Sequence, residues 1–404
     1  MMAALHAKQA GAGHVTLLER NNRLGLKIGI TGKGRCNLTN DCTVQELVEN
    51  VPVNGRFLYS AFSQMDSQKT MALFDQLGLR LKTERGRRVF PLSDRATELV
   101  LTLRAAAEKA GVQVRTESRV QSLLVTVKGE FTVSGQGFSL SARNVIIATG
   151  GLSYPVTGST GDGYRLAQSL GHNLVKTRPA LVPLESPEPW VRELQGLSLK
   201  NVTLTSPAGC ELGEMLFTHY GVSGPLVLTA SGHIVDLLPR GPVVLTIDLK
   251  PGLSEEQLDA RLLRDFAEVP RRHFANSLDK LLPGRLITAV VALSGIAPDK
   301  QVSQITREER LSLVNILKTL PVKVTAPRPV EEAIVTAGGV SVKEIDPRTM
   351  ESKLVPGLFF AGEVMDVSGY TGGYNLQIAW STGAVAGNAA AARSRMNETD
   401  GEAQ

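Results

Sequence analysis

The chain has 404 residues, 42% hydrophobic and 21% charged, which predicts two or three domains around a sizeable core. No stretch approaches the ~18 consecutive apolar residues of a membrane helix, and the first residues lack a signal-peptide core, so a cytoplasmic protein without a membrane partner is expected. The net charge of +5 fits an RNA, a phosphate-bearing cofactor or plain solubility, and discriminates among none of them.

In chain order, residues 3–19 read as a helix, a turn at Gly11 and Gly13, and a strand ending in Glu19. That is the second half of a βαβ nucleotide-binding unit, in which an acid about 20 residues past the glycines bonds a ribose hydroxyl. "VTLLER" is otherwise an ordinary core strand ending in surface charge. Counting back from Glu19 places the last glycine of such a unit just before Met1. The native protein is therefore expected to be about 15–25 residues longer, the extra being a strand and Gly-rich loop.

Residues 20–40 read as a loop. Within it, "GLKIGITGKGRCN" lets backbone approach a ligand closely, and its N–H groups can cradle an anion beside Lys27, Lys33 and Arg35. A mobile basic surface loop is the alternative. Residues 56–79 look helical. "PLSDRATELVLTLRAAAEKAG" predicts a helix capped by Ser93 or Asp94, lined by Leu99, Leu103, Ala106 and Ala110, and ended by Gly111. Residues 112–151 then switch to period two, giving four or five short strands with Gly turns at 129 and 135–137. The last, "NVIIATGG", suits a buried parallel strand delivering Thr149, Gly150 and Gly151 to the carboxyl end of a sheet, where ligands bind in open α/β folds. "GSTGDGYRLAQSLGH" leads into a further helix, but its G-x-x-G-x-G order is not a second dinucleotide fingerprint.

Residues 186–250 are Pro-rich and strand-like, and 251–320 helical, with capping boxes at Ser254/Gln257 and Thr306/Glu309. Beyond 340, "GLFFAGEVMDVSGYTGGYNLQIAWSTGAVAGNAAAA" reads as a strand, a Gly loop and a helix of small residues. Gly362, Gly369, Gly372 and Gly373 permit tight turns. Glu363, Asp366, Asn375 and Gln377 can bond a polyol or heterocycle. The three cysteines, Cys36, Cys42 and Cys210, form neither a disulfide framework nor a metal-ligand pattern, and no metal is expected. Alternating helix and strand at both ends around a different middle predicts an α/β fold: a Rossmann-like domain from 1–186 and 341–404, interrupted by 187–340. The insertion divides into a β-rich part (187–250), a helical part (251–320) and return strands (321–340).

The set "LGLKIGITGKGRCNLTN", "RVFPLSDRATELV", "NVIIATGGLSYPVTGSTGDGYRLAQSLGH", "GEMLFTHYGVSGPLVL" and "AGGVSVKEIDPRTMESKLVPGLFFAGEVMDVSGYTGGYNLQIAWSTGAVAG" resembles the BaiN-like, or aminoacetone oxidase-like, family of bacterial FAD-dependent oxidoreductases. More distantly it is similar to the flavin subunits of fumarate reductase and L-aspartate oxidase. The resemblance runs from about residue 3 to 390 and departs from the family only in lacking the first strand and its G-x-G-x-x-G loop.

It implies one non-covalent FAD. Glu19 would be the ribose acid. Lys27 and the loop Thr31, Gly32, Lys33, Gly34, Arg35, Cys36 and Asn37 would lie on the flavin side. Val120 would approach the adenine, with Thr149, Gly150 and Gly151 nearby. Gly362, Glu363, Asp366, Gly372, Gly373, Asn375 and Gln377 would hold the ribityl chain and ring. The insertion would cap the flavin and form a substrate domain. The expected chemistry is hydride delivery from flavin N5 to a conjugated C=C of a small molecule, with NAD(P)H as the electron donor and His219, Tyr220, Tyr374 or Cys36 as the proton donor. The alternatives are reduction of uracil in RNA, for which Arg85, Arg87 and Arg88 supply positive charge, an amine oxidase, and a flavin-free protein that is not an enzyme.

Overall fold

The computed structural model describes the backbone of residues 1–207 and 209–402, and side chains within that range up to 395. The chain divides into two compact units, 1–179 with 333–404, and 180–332. The divisions fall at 179/180 and 332/333, against 186/187 and 340/341 in the sequence reading.

The first unit is α/β, and its Rossmann character lies in two parallel strand pairs. Thr16–Leu18 pairs with Gln113–Arg115, and Val145–Ile147 with Leu358–Phe360. Among the described residues no ladder joins one pair to the other. Leu358, Phe359 and Phe360 are fully buried, as a short apolar strand covered on both faces must be. Val120–Val125, Phe131–Gly135 and Phe138–Ala142 form an antiparallel meander. Its turns use Gly129 (φ 78°) and Gly137 (φ 76°), where a side chain would be strained. Thr39–Asn40, Arg88–Pro91 and Leu81–Glu84 form a small antiparallel sheet. The helix Tyr374–Glu402 packs its small residues against the first helix, Met2–Gln9. A Cβ on Gly387 would strike Ala3 O and lie 3.0 Å from Ala7 N.

Three local expectations for this unit are corrected. The 20–40 segment is not all loop. Gly25 at φ 73° opens the short helix Leu26–Ile30, and a tight turn over Thr31–Gly34 follows. The 56–79 helix is two helices, Tyr59–Gln64 and Ser67–Gln76, because Asp66 leaves helical geometry and caps the second through Lys69 N (2.8 Å). The helix Ala96–Lys109 is capped by neither Ser93 nor Asp94; Arg95 holds that position. Asp94 sits at φ 56° with its carboxylate on Arg35 (2.6 Å) and Lys82 (2.6 Å), so side-chain ion pairing outcompetes capping. On that helix Leu99 and Leu103 are fully buried, Ala106 and Ala110 pack partly buried against the same cluster, and Ala96 and Ala107 are buried as well.

The second unit is a seven-stranded antiparallel sheet in the order Leu320–Val324, Val243–Asp248, Ser198–Ser206, Gly209–Thr218, Gly221–Ser223, Leu184–Glu185, Ala326–Pro327. Four longer helices accompany it, and Phe217, Ile247, Leu258, Phe274 and Leu286 form its core. Both capping boxes are present, with Gln257 N on Ser254 Oγ (3.2 Å) and Glu309 N on Thr306 Oγ1 (3.2 Å). One helix, Pro225–Leu237, lies inside the stretch read as strand-like. Pro225 at its first turn is a helix opener there, not a strand breaker.

Candidate functional site

The carboxyl ends of Val145–Ile147 and Leu358–Phe360 converge on one polar network. Gly362, at φ 73°, turns the chain out of its strand, and its N–H donates to Thr382 Oγ1 (3.0 Å). The turn sets Glu363 among three other segments. Its Oε2 accepts from Lys27 Nζ (2.6 Å). Its Oε1 accepts from Thr336 N (2.8 Å) and Ser153 Oγ (3.1 Å). Lys27 Nζ also donates to Ser153 Oγ (2.8 Å), and Thr336 Oγ1 accepts from Leu152 N (2.8 Å). Gly151 is required here, since a Cβ would lie 2.5 Å from Thr336 Oγ1 and 2.9 Å from Glu363 Oε1. Of these residues, Ser153 and Thr336 escaped the sequence reading; both lie beside glycine pairs, and nothing but that adjacency marked them. The neighbouring Tyr164 was also missed. Its hydroxyl is buried without a partner, and burial beside Glu363 and Asp366 holds its proton on well above the usual phenol range.

A second group surrounds the 31–40 loop. Gly32, Lys33, Gly34 and Cys36 all have φ between 56° and 83°, so the loop curls with its side chains splayed. Lys33 points to solvent. Arg35 turns aside to Glu84 (2.5 Å) and Asp94, stacking 4.2 Å from the Phe90 ring centre. Thr31 Oγ1 donates to Ile28 O (2.7 Å). Asn37 Oδ1 is buried with no partner. The 369–373 loop packs against this group, and a Cβ on Gly373 would meet Thr39 C and O at 2.5 Å. Asn40 Nδ2 donates to both Gly372 O (3.2 Å) and Gly86 O (3.0 Å). Asn375 closes the loop on itself, accepting from Gly369 N (2.9 Å) and donating to Gly369 O (2.8 Å). Gln377 is fully buried. Its amide contacts Met65 O, Thr70 Oγ1 and Ser381 Oγ at 2.9–3.0 Å, while its Oε1 accepts from Thr39 Oγ1 (2.6 Å). Asp366 accepts from Asn54 Nδ2 (2.9 Å), and burial pushes its carboxyl upward.

Glu19 closes its strand half-buried, with Oε1 accepting from Asn21 N (2.8 Å). Ser118 N donates to Glu19 O (2.8 Å), which brings the strand beginning at Val120 alongside. The nearby helix Asp162–Ser169 has its N-terminus occupied by its own acid: Asp162 is gripped by Arg20 (2.9 Å) and by both arms of Arg119 (2.8–2.9 Å).

Two of the four proton-donor candidates, Cys36 and Tyr374, belong to the first unit. Cys36 is fully buried and its thiol is pushed up to about 11 by that burial. Tyr374 is 9% exposed at the start of the last helix, its phenol pushed up to about 12 by burial. His219 and Tyr220 belong to the second unit, in the turn between Gly209–Thr218 and Gly221–Ser223. Their rings are 4.8 Å apart, and Arg328 lies 4.7 Å from the Tyr220 ring centre.

For FAD, the group implied by the resemblance, the residues fit at three points. Asn37 Oδ1 lacks a partner, the run of left-handed residues in 32–36 gives a cradle lined by backbone, and Ala148 and Thr149 lie exposed beyond a strand end. No helix among the described residues is long and apolar enough to cross a membrane.

Comparison with known proteins gives the lineage. Residues 1–389 match the family model described as "HI0933-like protein Rossmann domain". The chain is 32% identical over 393 residues to the 3-dehydro-bile acid delta(4,6)-reductase of Clostridium scindens, covering 96% of this chain and 95% of that one. It is 34% identical over 393 residues to the ribosomal RNA dihydrouridine synthase of Escherichia coli K12, covering 95% and 93%. Its fold is that of 3-ketosteroid-delta4-(5alpha)-dehydrogenase from Rhodococcus jostii RHA1, at a TM-score of 0.51 and 18% identity over 96% of this chain and 94% of that one. The chain thus belongs to the HI0933-like family of Rossmann-domain proteins, the BaiN-like group of FAD-dependent oxidoreductases whose motifs it carries.

Proposed function

We propose that the protein is an FAD-dependent reductase that saturates a polarised carbon–carbon double bond in a small molecule. The observation that carries this reading is the convergence of Lys27, Gly151, Ser153, Thr336 and Glu363 at the ends of two parallel strands. It is the place where an open α/β sheet presents its ligand, and it is built from segments more than 300 residues apart in sequence. FAD, when bound, supplies the redox chemistry. The protein's part is to position, to exclude water and to hold protons. The names of both relatives, a delta(4,6)-reductase and a dihydrouridine synthase, describe loss of a C=C. Tyr374 keeps its proton at neutral pH and is the better-placed donor of the two candidates in this unit, because Cys36 is sealed from solvent.

Glu19, Lys27, Asn37, Thr149 to Gly151 and Glu363 are the residues we assign to the cofactor. Gln377 and Asn375, whose hydrogen bonds are satisfied within the protein, support the loop instead. NADH or NADPH is the proposed electron source. An anaerobic titration of the purified protein checks cofactor and donor together: the flavin band bleaches with one nicotinamide. A protein that takes up no flavin defeats the reading.

RNA is the second reading, favoured by the synthase relative and by the exposed turn Arg85–Arg88 tied through Asn40 to the 369–373 loop. Uracil reduction is the same addition to a C=C. Its mark is RNA binding that weakens steeply with salt; binding indifferent to salt removes it.

A further inference from the structure

A small cleft in the first unit is lined by Asp41, Cys42, Thr43, Asp66, Gln68 and Arg87. Asn40 connects the turn that carries Arg87 to the 369–373 loop, donating to Gly86 O and to Gly372 O. Arg87 is placed there by strain: it has φ 56°, next to Gly86 at φ 74°, and Asp41 N holds its carbonyl at 2.8 Å. Non-glycine residues adopt that conformation uncommonly. The guanidinium is 54% exposed and rests fork to fork on Glu46, at 2.7 and 3.2 Å. So exposed a pair holds its partners weakly and opens readily. Tyr374, whose ring a Cβ on Gly372 would meet at 3.1 Å, feels the charges of Arg87 and Glu46 and the thiol of Cys42.

We propose that Arg87 is a substrate-positioning residue. Released from Glu46, it anchors the oxygen of a carbonyl or carboxylate on a flat conjugated ring in this cleft. The chemistry is that of Arg with planar oxygen pairs: a rigid donor fork that is always charged and matches two acceptor lone pairs at once. Gln68 offers a second polar contact, and its amide already reaches Asp41 Oδ1 (2.5 Å). Cys42, 7% exposed, gives the cleft a soft apolar floor.

This rests on the reductase reading, and the test separates the two. Benzoate, a flat ring with a charged oxygen pair, is titrated calorimetrically into the FAD-loaded protein. R87A weakens binding about 10-fold or more and R87K restores part of it. E46Q, which frees the guanidinium, tightens binding about 2- to 5-fold. R104A, on the exposed face of the helix Ala96–Lys109, changes nothing. A merely structural Arg87 would not produce the gain in E46Q. Benzoate binding that is absent in the loaded wild type, or equal in R87A and wild type, overturns the inference while leaving the reductase reading standing. Failure of the protein to retain FAD overturns both.

Discussion

Lys27 Nζ and Glu363 Oε2 stand 2.6 Å apart, both side chains no more than a quarter exposed, although 336 positions separate them in the chain. The pair joins the N-terminal and C-terminal parts of the first unit in one polar cluster, as Thr39 and Gln377 do in another. Replacing Glu363 by Ala removes one acceptor each from Lys27 and Ser153 and the acceptor of Thr336 N. The expected cost is about 1–3 kcal/mol, together with loss of flavin. Thermal melting and the flavin absorbance of the purified variant measure the two effects.

Gln377→Ala separates support from ligand binding. The wild-type amide bonds Met65 O, Thr70, Ser381 and Thr39 in a fully buried setting. Its removal should lower stability by about 2–4 kcal/mol in a denaturant titration, on the scale of one or two buried groups left unpaired. A variant as stable as wild type that no longer holds FAD would move Gln377 to the cofactor.

Gly163→Ala tests the close approach behind the strand end. The added methyl would overlap Thr149 Oγ1 and lie 3.0 Å from both Ile147 and Val364 side chains. Overpacking of this kind costs about 1–3 kcal/mol. Because Thr149 is pushed away, flavin affinity should fall in the same variant, read by fluorescence of released FAD.

Stability should decline at alkaline pH. Burial raises the Cys36 thiol from 9.0 to about 11 in the folded protein, and the Cys42 thiol likewise. The folded state therefore keeps these protons when the unfolded chain has lost them. The associated stability is complete below pH 9 and disappears as pH rises through 11, about 2–3 kcal/mol for Cys36. Urea midpoints measured from pH 8 to 11 should show the fall, and C36A should remove the part that Cys36 contributes. Native Cys36 should resist iodoacetamide at pH 8 and react on unfolding.

Periodicity made the repeated elements legible. The meander after residue 112 follows from alternation, the parallel strand at 145–147 from a continuous apolar run ending at two glycines, and both capping boxes from a Ser/Thr with its partner three residues on. What stayed hidden was decided by partners far away in sequence. Asp94 looks like a cap until Arg35 and Lys82 claim it. Arg35 looks like a phosphate ligand until Glu84 and Asp94 claim it. Ser153 and Thr336 carry no local signal; they join the site because two strands end side by side. The helix Pro225–Leu237 was obscured by the prolines and β-formers flanking it.

The contact of Gly387 with Ala3 also sets an order of events during synthesis. The first helix must wait for a partner translated some 370 residues later, whereas 180–332 is complete before residue 333 is made. A ribosome carrying the chain to about residue 370, with its last few tens of residues still in the exit tunnel, thus bears one finished unit and one whose opening segments are still exposed. Truncations before the last helix should keep the intervening unit intact and leave the residues ahead of it open to protease.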